Sequence, residues 1–161
     1  MGPPPPPGTP QVTEAVDGLI VGHRLMAAGE YELALQAYYR AAAEHGLNAD
    51  ILSALGSANL KLGRLGQAEQ TLRAALKLDP AFVPAMNNLG VVLMNEGKFG
   101  EAKEVFQNAF ALDSGQSDVI RENLTRALAL LKESSYSGPE DTSAFELVRR
   151  GNGRYLLLNT K

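Results

Sequence analysis

His23 and His45 are the chain's only histidines, and with no Cys in the sequence they are the residue types best suited to hold a metal or move a proton near neutral pH. Neither sits in a His-Glu-x-x-His arrangement, and no thiolate is present to complete a metal set. His45 precedes Gly46, where a cation would complement the carboxyl end of a helix. The Gly151-Asn152-Gly153-Arg154 run has glycines suited to a phosphate loop, but it lacks the Gly-Lys-Ser/Thr ending and reads as a turn. Arg149, Arg150 and Arg154 form a small basic cluster, best taken as solvated charges on strands. The neighbouring amides Asn87 and Asn88 suit recognition, since each can donate to and accept from a peptide backbone. No convergent set of ionisable groups points to turnover, and the sequence predicts a non-enzymatic protein with no cofactor or metal.

The elements that must position these groups are bounded by composition. Of the 161 residues 45% are hydrophobic and 20% charged, enough for one domain with a sizeable core. The net charge of −3, with Lys and Arg dispersed, leaves no broad footprint for nucleic acid. No apolar run approaches the roughly 18 to 20 residues that would cross a bilayer. Six of the nine prolines fall within the first ten residues, so residues 1–13 are expected to be a stiff polyproline tether.

The rest of the chain repeats. A shift of 34 superposes Gly22, Gly56 and Gly90, then Gly29, Gly63 and Gly97, then Ala34, Ala68 and Ala102, then Ala41, Ala75 and Ala109, with the bulky Tyr38, Leu72 and Phe106 also in register. A period of this length signals stacked supersecondary units. Each copy reads as two antiparallel helices joined at Gly29, Gly63 or Gly97, where a left-handed backbone closes the first helix. The small column at Gly22, Gly56 and Gly90 is expected to face the alanines at 34, 68 and 102, with Tyr38, Leu72 and Phe106 filling the space between copies. Ile120, Leu124, Ala127, Leu128 and Leu131 then mark one apolar face of a capping helix over 117–133.

These columns, together with LKLDP at 76–80 and MNNLGVVLMNEGKFGEAKEVFQNAFALD at 86–113, resemble the tetratricopeptide repeat (TPR). The resemblance implies an all-α, right-handed superhelix of three repeats (15–48, 49–82 and 83–116) plus the cap, within a solenoid over 14–133. Gly18 and Asn59 depart from the family pattern, which has larger or aromatic residues there, as do Gly46 and Ser114 where Pro80 marks the usual proline. After the solenoid, 134–144 reads as a linker and 145–161 as a short β-hairpin turning at residues 151–153. Its apolar side chains favour docking on the helices or pairing with another copy.

The resemblance also implies a concave groove lined by the first helix of each copy. Carried over by register, the groove comprises Val16, Leu19, Ile20, His23 and Met26, then Asp50, Ser53, Ser57 and Lys61, then Asn87, Asn88, Val91 and Asn95, with Arg121 of the capping helix closing the row. The expected partner is a protein or peptide. TPR proteins that bind chaperone carboxyl termini use a clamp of Lys, Asn, Lys and Arg; here Leu19 and His23 hold two of those places and Asp50 would repel a carboxylate. Residues 21–42, 55–70 and 121–130 further resemble the small TPR lipoproteins of tight-adherence (Tad) pilus assembly, which implies an assembly factor or adaptor on the periplasmic face of a bacterial envelope membrane, with a lipid anchor upstream of residue 1. The alternative is a self-associating module in an unrelated scaffold or chaperone role, regulated by docking of its own carboxyl-terminal hairpin, and if the envelope setting does not hold, the expected location is cytoplasmic.

Overall fold

The computed structural model describes residues 14–136, which form seven helices and, among the described residues, no strand. They are α1 (Glu14–Ala27), α2 (Tyr31–His45), α3 (Ala49–Lys61), α4 (Leu65–Leu78), α5 (Val83–Asn95), α6 (Phe99–Leu112) and α7 (Asp118–Tyr136). The expected tether at 1–13 and hairpin at 145–161 lie outside these residues. Ser134, Ser135 and Tyr136, expected to begin the linker, instead complete the last turn of α7.

Local chemistry sets the helix ends. Gly29, Gly63 and Gly97 have φ of 81°, 78° and 78°, so the turn within each pair is closed by a left-handed residue that a side chain would strain. Asn48 caps α3 by accepting from the Ile51 N–H at 2.8 Å. The Ser117 hydroxyl accepts from Ile120 N at 3.2 Å at the start of α7. Asp113 braces the preceding loop, its carboxylate accepting from the amides of Gly115 at 2.9 Å and Ser117 at 3.1 Å.

The helices pack as the pairs α1/α2, α3/α4 and α5/α6, with α7 against α6. Successive first helices also approach closely, α1 with α3, α3 with α5 and α5 with α7, whereas the backbones of α2, α4 and α6 stay apart, and α4 and α6 meet through the side chains of Arg73 and Glu101. First helices that converge while second helices splay place α1, α3, α5 and α7 on the inner side of a curved stack, the geometry of an α-α superhelix.

The packing corrects one expectation. A Cβ added at Gly22, Gly56 or Gly90 would stand 2.2 Å from Tyr38, 2.5 Å from Leu72 or 2.3 Å from Phe106, so the glycine column receives the bulky column of its own pair. The alanines at 34, 68 and 102 are fully buried but are not what those glycines face at closest approach. Large into small within a hairpin, rather than small against small, brings each helix pair together. Gly18 has a reason of a milder kind: a Cβ there would lie 3.3 Å from the Ala37 carbonyl and 3.4 Å from Ala41, a tight fit against α2.

Outside the core, ion pairs run both between and within repeats. Arg64 pairs with Glu32, Arg73 with Glu101 at 2.7 Å and Glu69 at 2.9 Å, and Lys98 with Glu96 at 3.3 Å and Glu69 at 3.6 Å. Burial pushes the Glu96 carboxyl above the usual range, and the neighbouring Glu69 adds to the rise against the pull of Lys98. Glu69 is also raised by burial, but hydrogen bonds with Arg73 and Glu96 and the charges of Lys98 and Arg73 bring it below the usual range.

Candidate functional site

The inner face carries a cavity of about 300 Å³ where α1, α3 and α5 meet. His23 and Met26 come from α1, Asp50, Ser53, Ala54 and Ser57 from α3, and Pro84 and Asn88 from α5, while Tyr38 of α2 reaches the cavity between them. Asp50, Ser53 and Ser57 are three and four residues apart, which puts them on one stripe of α3. Tyr38 is 1% exposed, its ring seated over Gly22 and its hydroxyl hydrogen-bonded to His23 Nδ1 at 2.8 Å. The two rings meet edge to face, with centroids 5.5 Å apart. Burial pushes the Tyr38 phenol up to about 12, and the carboxylate of Asp50 opposes its ionisation further.

The other candidates divide by what already holds them. Leu19 packs against the cluster around Ala34, Leu35 and Tyr38, and Val91 against the core of the second and third pairs. Ile20 and Lys61 are exposed, on α1 and at the end of α3, away from the cavity. Val16 lies in the first turns of α1, where only the backbone is described. Asn95 turns back on its own helix, its amide donating to the Val91 carbonyl at 2.9 Å. Asn87 and Asn88 do not act as a pair: Asn88 faces the cavity, whereas Asn87 accepts from Asn123 Nδ2 of α7 at 2.8 Å. Arg121 stands in register with Asn87, but its guanidinium donates to the Gly115 carbonyl at 2.7 Å and pairs with Asp118. With Glu122, Thr125, Arg126 and Ala129 it lines a second, wider hollow of about 540 Å³ on α7 alone.

The register alone could have found two cavity residues left out of the sequence reading, since Pro84 stands 34 after Asp50 and Ala54 stands 34 before Asn88. Tyr38 and Asn123 carried no such signal, because each enters through a contact between helices. Among the described residues no group of three or more His, Asp or Glu could hold a metal ion, and no helix is long and apolar enough to cross a membrane.

A curved array of helix pairs with a polar hollow on its inner face defines an α-helical repeat protein. Residues 25–93 and 83–116 both match the tetratricopeptide repeat, and the chain belongs to that family. It is similar to the small glutamine-rich tetratricopeptide repeat-containing protein 2 of Mycosarcoma maydis, 28% identical over 76% of this chain and 35% of that one. The chain thus spans about a third of that relative's length. Among solved structures, the second TPR domain of human RPAP3, determined in complex with the HSP70 peptide SGPTIEEVD, superposes with a TM-score of 0.64 at 27% identity, over 72% of this chain and 96% of that one. The TPR domain of Sgt2 from Aspergillus fumigatus superposes with a TM-score of 0.73 at 24% identity, over 84% and 88% of the two chains, a likeness of fold.

Proposed function

We propose that this chain is a non-enzymatic interaction module that binds an extended segment of a partner protein along the inner face of α1, α3 and α5. The observation that carries the reading is the hollow where the three first helices converge, whose hydroxyl, amide and carboxylate groups offer hydrogen bonds at the centre of a curved surface. The human RPAP3 domain, solved with an HSP70 peptide, supplies a precedent for peptide binding by a TPR domain of this size. A heptapeptide display library selected against the full chain tests the reading. The selected peptides lose at least tenfold in affinity to Ser57→Trp, which fills the hollow, and keep it in Glu104→Trp on the exposed side of α6. Equal affinities for the two variants would overturn it.

The stretches 21–42, 55–70 and 121–130, with their resemblance to the TPR lipoproteins of Tad pilus assembly, favour a particular setting for this module. We infer an assembly factor or adaptor on the periplasmic face of a bacterial envelope membrane, carried by an anchor upstream of residue 1. A native gene that encodes no signal segment ending in a lipid-modifiable Cys would reject the anchor, and fractionation of cells would place or exclude the protein at the membrane.

A further inference from the structure

Asp50 has no ion-pair partner among the described residues, although it lines the hollow on the inner face. No Lys or Arg lines that hollow. The nearest cation on the same helix face, Lys61, lies three turns on, about 16 Å away at the rise of an α-helix. The other polar groups lining the hollow are the hydroxyls of Ser53 and Ser57 and the Asn88 amide, each of which can accept a hydrogen bond, together with His23 and Tyr38, which hold each other at 2.8 Å. Met26, Ala54 and Pro84 supply an apolar wall beside them. An apolar wall leading to acceptors and one unpaired carboxylate suits a long side chain with an apolar stem and a cationic head.

We propose that the hollow seats a lysine or arginine side chain of the bound segment, its stem along Met26, Ala54 and Pro84 and its charged head on the Asp50 carboxylate. The proposal rests on the inner-face binding reading and narrows it to basic partner segments. It also separates this groove from one that takes an acidic, carboxylate-terminated peptide: such a ligand would bring its charge against Asp50 with no Lys or Arg lining the hollow to offset it. The Tyr38 phenol, buried at the same hollow, brings no charge to it at neutral pH.

The test is an NMR titration of the full chain with the capped peptides Ac-Ala-Ala-Ser-Xaa-Ser-Ala-Ala-NH2, in which Xaa is lysine, norleucine or glutamate. The amides of Ser57 and Asn88 report on the hollow. The lysine peptide binds at least tenfold more tightly than the norleucine and glutamate peptides, Asp50→Asn abolishes the preference, and Asp50→Lys transfers it to glutamate. Asp50 is exposed, so both variants retain the fold, which an unchanged helical circular-dichroism spectrum verifies. Equal affinity for lysine and norleucine, tighter binding of glutamate, or a lysine preference that survives Asp50→Asn overturns the proposal. If peptides selected from the display library bind in a Ser57-dependent manner while Asp50 has no influence, only this proposal fails. If no peptide binds the inner face, the broader reading fails with it.

Discussion

Asn123 Nδ2 donates to Asn87 Oδ1 across 2.8 Å, tying the capping helix α7 to the inner side of α5. Both side chains are half-buried, so neither is freely replaced by water. Asn123→Ala leaves Asn87 short of a partner and is expected to lower stability by about 1 kcal/mol. Urea unfolding followed by circular dichroism would measure it, and an unchanged midpoint would remove the bond from the account of how the cap is held.

The seating of Phe106 on Gly90 sets a second expectation. A methyl at Gly90 would meet the ring at 2.3 Å, and the ring is wholly buried and has nowhere to retreat. Gly90→Ala should therefore destabilise by about 1–3 kcal/mol, despite the better helix propensity of alanine. Gly100→Ala on α6 is the matched control, because nothing lies within 4 Å of its added Cβ; it should be neutral or stabilise by up to about 1 kcal/mol. Thermal unfolding should show a lowered midpoint for Gly90→Ala and an unchanged or raised one for Gly100→Ala.

Tyr38 supplies an alkaline signature. Burial, aided by Asp50, raises its phenol from the ordinary 10.0 to about 12, so the folded state resists losing this proton. The stability this contributes is fully present below pH 10 and is lost as pH rises towards 12. Phenolate absorbance should show one tyrosine ionising about two units late, and Tyr38→Phe should remove that late step. A titration without the late step in the intact chain would contradict the burial of this hydroxyl.

The carboxyl pair of Glu69 and Glu96 acts at the other end of the pH scale. Glu96 is raised by burial and by Glu69, so holding it ionised at neutral pH opposes folding. That cost disappears as pH falls through the raised value. Glu69 is lowered on balance, so its contribution has the opposite sign and is lost on acidification. Glu96→Gln should therefore raise the unfolding temperature at pH 7 by roughly 1–4 °C, equivalent to less than about 1 kcal/mol. The gain should vanish once carboxylates are protonated, and a gain that persisted at low pH would point away from charge as its cause.

Much of this protein is settled by local spacing. The 34-residue period, the left-handed glycines at 29, 63 and 97, and the apolar face of α7 are visible in the chain because helix length, turn chemistry and amphipathicity are properties of nearby residues. The inner-face positions of His23, Met26, Asp50, Ser53, Ser57 and Asn88 follow from the same register, since residues one repeat apart occupy equivalent places on successive helices. Spacing does not encode how far each helix is rotated about its axis against its neighbour. That rotation decided that Gly22, Gly56 and Gly90 receive Tyr38, Leu72 and Phe106 rather than alanines. It also brought Asn123 to Asn87 and the Tyr38 hydroxyl to His23 Nδ1. Those contacts depend on side chains from different helices meeting within a few ångströms, and only the assembled stack determines which of them meet.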